Sequence, residues 1–106
     1  MRTFLAALLL VASSALAQPY PSKPIRLIVG FPPGGSADPT ARILGAALSD
    51  QLKQPVVVEN RPGADSALAA EQMTRIEPDG YTIMFASNSA MTAAVALRKN
   101  PTYDPL

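Results

Sequence analysis

The sequence predicts an α/β domain, β-α-β-α-β with largely parallel strands. Three observations predict it. Short apolar runs rich in branched residues recur at 25–31, 56–59 and 81–87. Stretches with helical periodicity separate them, each long enough for a crossover between parallel strands. Glycine, proline and short polar residues mark the junctions.

Ahead of the first strand, Met1 to Ala17 reads MRTFLAALLLVASSALA. One basic residue, Arg2, precedes an apolar stretch from Phe4 to about Ala12, and small residues follow, ending in Ala15-Leu16-Ala17. That is the layout of a secretory signal cleaved after Ala17. The apolar run is short for a membrane span; an uncleaved anchor or a buried core helix are the alternatives. Residues 18–106 are then an exported segment with no stable membrane insertion.

QPYPSKP, with three prolines in seven residues, is an extended lead-in that cannot be helical. IRLIVGF, Ile25 to Phe31, reads as a strand buried on both faces, which favours a parallel sheet under helices. Pro32 to Ala37 forms a loop. Asp38-Pro39 opens a helix, the acid as N-cap and the proline at the first helical position. Leu44, Leu48 and Leu52, with Ile43 and Ala47 beside them, form its apolar face, while Arg42, Asp50 and Lys53 lie toward water. Pro55 ends it near Gln54.

Val56 to Glu59 gives the second strand, closed by the turn NRPGAD. A second helix is expected from about Ser66 to Ile76, with Ala69, Met73 and Ile76 inward. EPDG is a turn, YTIMFAS the third strand, and NSAMTAAVALRKN opens a third helix. Three strands bury little and leave edges open, so the segment reads as part of a domain.

Composition removes several function classes. With Arg2 cleaved away, the nine basic residues become eight and match eight acidic ones, so no charge excess points to nucleic acid or an anionic membrane. Cysteine and histidine are absent, which excludes disulfides, thiolate or imidazole metal sites and His-dependent nucleophiles. A hydrolase using Ser36 or Ser66 has no histidine or nearby lysine to activate it. Glu77 and Asp79 on a polar turn read as solvated rather than as an acid/base pair.

VGFPPGGSADPTAR invites comparison with phosphate and nucleotide loops. After Gly34-Gly35 it offers Ser36-Ala37-Asp38, not the lysine of a P-loop, and Gly30, Gly34 and Gly35 miss dinucleotide spacing. Small residues between a strand end and a helix N-terminus do suit an anion such as a carboxylate, held by backbone N–H groups. A plain βα turn closed by an N-cap suits them equally. ENRPGADSA and ASNSAMT follow the other two strands with the same logic. In an open parallel sheet all three loops lie on one edge, where ligands bind.

The combination of FPPGGSAD, VVVENRPGA and DGYT at these separations closely resembles Bug-type receptors, the extracytoplasmic solute-binding proteins of tripartite tricarboxylate transporters. The resemblance runs along effectively the whole chain. It implies a periplasmic, type II-like Venus-flytrap fold, of which residues 18–106 are the N-terminal part of the first lobe. It also implies capture of a small organic carboxylate without catalysis or cofactor, and membrane permease subunits as partners. By position, the ligand-binding residues are Phe31, Pro32, Pro33, Gly34, Gly35, Ser36, Ala37 and Asp38 in the first loop; Ala64, Asp65, Ser66 and Ala67 in the second; and Ser87, Asn88 and Ser89 in the third.

Several positions depart from the family pattern. Asp65 and Ser66 stand where glycines are usual, Gly30 where proline is frequent, and Ala93-Ala94-Val95 where INP is often found. The family normally continues beyond YDPL, so the expectation is a partial receptor: a piece of a longer product, or a remnant without function beyond interaction.

Overall fold

The computed structural model describes residues 17–105. The expected signal segment, save Ala17, lies outside the described residues. Strand β1 (Ile25–Val29) leads through a loop into helix α1 (Ala37–Leu52) and strand β2 (Val56–Asn60). A 3-10 turn (Ala64–Ser66) runs into the short helix α2 (Ala67–Met73), then strand β3 (Thr82–Phe85). A π-helical turn (Ser89–Ala93) and helix α3 (Ala94–Leu97) follow.

The three strands form one parallel sheet in the order β2-β1-β3. The central place of β1 explains its largely apolar sequence, interrupted by the half-buried Arg26: Ile25, Leu27, Ile28 and Val29 are all buried, since a middle strand in a parallel sheet is covered on both faces. Val29 pairs with Asn60 on one side and Phe85 on the other, so the three strands end level on one edge. β1 stops at Val29 rather than Phe31: Gly30 marks the close approach of Ser66, and Pro32 and Pro33 have no N–H with which to extend a ladder.

On one face, Leu27, Val29 and Ala41 form the core, with Val56, Val58, Ile83, Phe85, Phe31 and Ala37 packed around them. The α1 residues that meet the sheet are Ala41 and Gly45, buried, with Leu48 and Leu52 half-buried. This corrects the expected apolar face: Ile43 is 73% exposed, Leu44 41%, and Ala47 is exposed. The helix approaches closely enough that a β-carbon on Gly45 would lie 3.4 Å from Val58 Cγ2 and 3.7 Å from Leu27 Cδ2. Small residues permit that approach, so the contact stripe passes through them and not through the largest side chains. Arg42, Asp50 and Lys53 are exposed, as their charges require.

The N-terminus of α1 is also shifted. Ser36 is the N-cap residue, so Asp38 stands second in the helix and Pro39 third, not at the cap and first position. Pro39 still fits, because first-turn N–H groups have no intrahelical acceptor. Lys53, left-handed at φ 56°, closes the helix as C-cap.

The second helix is shorter than its periodicity suggests, Ala67–Met73 rather than Ser66 to Ile76. Ala67, Ala69 and Ala70 are buried, while Met73 and Ile76 are half-buried. The third helix begins with wide π geometry instead of α. The proline-rich lead-in is extended and clasps the turn before β3. Tyr20 Oη donates to Gly80 O at 2.6 Å, Tyr81 Oη accepts from Ser22 N–H at 2.8 Å, and Lys23 Nζ lies 4.5 Å from the Tyr81 ring centre. No helix among the described residues is long and apolar enough to cross a membrane.

Candidate functional site

Parallel pairing places the loops after β1, β2 and β3 on one edge. The first two are joined directly. Arg61 N–H donates to Val29 O at 2.7 Å, and Asn60 Nδ2 donates to Phe31 O at 3.1 Å. Ser66 lies against Gly30. The Ala64–Ser66 turn in its place contacts the Ser89–Ala93 turn, bringing in the third loop.

In the first loop Pro33, Gly34, Gly35 and Ser36 are exposed, Phe31 and Ala37 are half-buried against the core, and Asp38 is buried. Ser36 makes no side-chain cap hydrogen bond, so the sixteen-residue helix α1 opens toward the edge with its first N–H groups uncapped by any side chain. The aligned peptide dipoles give that end a partial positive charge.

The Asp38 carboxylate faces back into the loop. Oδ2 accepts from Gly34 N–H at 3.2 Å, Oδ1 accepts from Asn60 Nδ2 at 2.9 Å, and Arg42 Nε donates at 3.1 Å to both oxygens. The Asn60 hydrogen bond first, then that of Arg42, holds its carboxyl below the ordinary value of 3.8, against the opposing effect of burial. Asp38 is therefore ionised at neutral pH, with its charge engaged by Asn60, Arg42 and Gly34. Gly34, at φ 86°, supplies the left-handed backbone that turns its N–H toward this carboxylate.

The second loop is conformationally unusual. Ala64, Asp65 and Ser66 follow one another at φ 48°, 54° and 72°, the left-handed region that favours glycine. Asp65 and Ala64 are exposed, whereas Ser66 and Ala67 are buried, so the last two form the floor of the loop, beneath its exposed part. In the third loop Asn88 is exposed, and Ser87 and Ser89 are half-buried. Ser87 Oγ accepts from Ala90 N–H at 3.3 Å and Asn88 O from Thr92 Oγ1 at 2.8 Å, so both help close the turn they begin.

Asn60 and Arg42 are the residues that local sequence reasoning did not single out. Asn60 read as a turn residue and Arg42 as a solvated one. The partners of Asn60 lie 18 to 29 residues away, where no local pattern marks them, whereas Arg42 stands four residues after Asp38, the i,i+4 spacing of an acid–base pair on a helix. An apolar cavity of about 270 Å³ lies elsewhere, between α2, β3 and the Tyr103–Pro105 segment. It is lined by Met73, Met84 and Met91 among others, and by none of the loop residues proposed as ligand contacts. Nor do the described residues hold any group of acidic side chains able to bind a metal ion.

Comparison with known proteins gives this edge a context. The tripartite tricarboxylate transporter family receptor matches residues 40–106. A UPF0065 protein of Bordetella pertussis is 47% identical over 94 residues, covering 89% of this chain and 29% of its own length. Among solved structures, the periplasmic binding protein BugD superposes with a TM-score of 0.75 at 38% identity, over 81% of this chain and 28% of its own. MatC from Rhodopseudomonas palustris with bound malate superposes with a TM-score of 0.76 at 35% identity, over 81% and 29%. The chain thus spans less than a third of each of these relatives, and its three-stranded parallel sheet with flanking helices is part of a periplasmic-binding-protein fold. By sequence and by fold, this chain belongs to the family of tripartite tricarboxylate transporter receptors.

Proposed function

We propose that this chain forms one wall of the carboxylate site of an exported solute receptor that delivers its ligand to the permease subunits of a tripartite tricarboxylate-type transporter. Met1 to Ala17 directs export and is cleaved. Capture is non-covalent: backbone N–H groups at the start of α1 and in the loops after β2 and β3 meet a ligand carboxylate, directly or through water. Phe31, Pro33, Gly34, Gly35, Ser36, Ala37 and Asp38 build the first loop's share, Ala64 to Ala67 the second's, and Ser87, Asn88 and Ser89 the third's. No bond is made or broken, so the reading calls for neither a cofactor nor a metal.

The observation that carries this reading is the α1 N-terminus. It opens without a side-chain cap onto the edge where all three loops meet, while the nearest carboxylate, Asp38, is held by Asn60, Arg42 and Gly34. A site that neutralises its own acid in this way is suited to a foreign anion. The malate bound by MatC supports the ligand class. Calorimetric titration of the chain with malate, a series of longer aliphatic dicarboxylates and aromatic acids tests it. Heat from at least one carboxylate, weakening as salt rises, is expected; silence from all of them overturns the substrate class.

A further inference from the structure

We infer that Asn60 is the positioning residue of this site: one carboxamide at the end of β2 sets the geometry of the ligand-facing loop between β1 and α1. The inference rests on the carboxylate reading for its functional meaning, but its geometry stands independently. Asn60 is the last residue of β2, paired in register with Val29, so the sheet holds its backbone. From there Nδ2 donates to Phe31 O at 3.1 Å, where the loop begins, and to Asp38 Oδ1 at 2.9 Å, where it ends. Oδ1 accepts from Arg42 Nη2 at 3.2 Å.

This pattern admits one orientation of the amide. A flip would set the Asn60 oxygen against a carbonyl and a carboxylate, and its NH2 against a guanidinium. Both ends of the loop are therefore tied to a single group, and the middle is tied through Gly34 N–H to the other Asp38 oxygen at 3.2 Å. The loop's two prolines limit its freedom further. What this fixes is the direction of the first N–H groups of α1, on which anion capture depends. No other residue type supplies two donors and an acceptor at this reach: Asp has no N–H, Ser has one donor, and Gln is a methylene longer.

The charged groups facing Asn60 are Asp38 and Arg42, both from α1. Its strand neighbour Glu59 is paired with Arg26 and Arg61, and Arg61 also reaches Gln72. Replacing Asn60 by the isosteric acid therefore sets two carboxylates against each other; Arg42 offsets part of the repulsion, and the pair shares a proton at a pH above the usual carboxylate range. The proton restores one donor.

The test uses the 15N-labelled chain, with the Gly34 amide resonance as a ligand-free report of the loop and malate as the binding probe. In the parent chain the Gly34 signal should hold its position between about pH 8 and about pH 5.5, because Asp38 stays ionised throughout. In Asn60→Asp the signal should be displaced at about pH 8 and return toward its parent position as the pH falls, in one titration step. Malate affinity relative to the parent should fall about tenfold or more at the higher pH and recover to within about threefold at the lower. Arg42→Gln, which removes the group orienting the amide, should displace the Gly34 signal in the same direction with a smaller, pH-independent loss. An unmoved Gly34 signal in both variants overturns the inference, and so does an affinity loss in Asn60→Asp that ignores pH. If the Gly34 signal behaves as described while malate fails to bind the parent chain, the loop assignment to Asn60 stands and the carboxylate reading falls.

Discussion

Ser66 Oγ lies 1.9 Å from the point that a β-carbon on Gly30 would occupy, with Ser66 Cβ at 2.7 Å and Cα at 2.9 Å. Gly30 has no left-handed backbone to justify a glycine; its lack of a side chain makes room for residue 66. Ser66 in turn is fully buried at φ 72°, and among the described residues its hydroxyl finds no hydrogen-bond partner. Two unfavourable features, a left-handed non-glycine and an unsatisfied buried hydroxyl, sit on one side chain where two candidate ligand loops touch.

Gly30→Ala should therefore destabilise the chain by about 2 kcal/mol or more, the cost of overpacking against buried backbone. Ser66→Gly should stabilise it by about 1–2 kcal/mol, by removing the unpaired hydroxyl and the strained φ together. Only the 2.9 Å approach of Cα survives in the double variant, which should lose less than Gly30→Ala alone. Urea unfolding of the four proteins measures the coupling; additive effects would show that the two residues do not meet as described.

At Gly45 the opposite outcome is expected. A β-carbon there meets Val58 Cγ2 at 3.4 Å and Val56 Cγ1 at 3.6 Å, ordinary van der Waals distances, in a buried and helical position. Gly45→Ala should stabilise by about 0.5–1 kcal/mol through helix propensity and added contact, and Gly45→Leu should destabilise by about 1–3 kcal/mol. Thermal melts of both variants decide whether α1 packs on β1 and β2 through its small residues.

Asp65 places an exposed carboxylate in the second candidate loop, at φ 54°. Asn tolerates that backbone, so Asp65→Asn changes charge with little change in conformation. Through solvent, a unit charge about 8 Å from a bound carboxylate costs it about 0.5 kcal/mol. Malate should consequently bind Asp65→Asn about twofold more tightly at low salt, with the gain fading as ionic strength rises. Equal affinities at every salt concentration would place Asp65 away from the ligand.

Acid sensitivity follows from two carboxylates. Hydrogen bonds from Asn60 and Arg42 depress the pKa of Asp38 below 3.8, and those from Arg61 and Arg26 depress that of Glu59 below 4.5. A depressed folded-state pKa contributes stability that is complete above the unfolded value and disappears as the pH falls through the folded one. Stability should thus stay level with respect to these groups from neutrality down to about pH 5 and decline below it. Replacing Glu59 by Gln should flatten the part of that decline nearest its ordinary value, which acid titration of the unfolding midpoint would detect.

The order of elements and their parallel pairing were legible because they rest on local chemistry. Branched apolar runs make strands, prolines and glycines interrupt them, and crossovers of this length join parallel neighbours. The convergence of three small-residue loops followed from that topology. Other features depend on what the chain meets after folding. The contact face of α1 was decided by the approach of the sheet, which selects Ala41 and Gly45 over Ile43 and Leu44. Asp38 looked like a cap because the pair Asp-Pro opens many helices; its role as the acceptor for Gly34, Arg42 and Asn60 needed a partner 22 residues away. The left-handed run at 64–66 was hidden behind Ala, Asp and Ser, which give no local sign of that backbone. Patterning by itself determined an α/β segment with its loops on one edge, since periodicity and turn chemistry act over a few residues, and the resemblance of its loop motifs supplied the receptor reading. Only the tertiary structure decided which atoms those loops present, since hydrogen bonds such as Asn60 to Phe31 and contacts such as Ser66 on Gly30 join residues far apart in the chain.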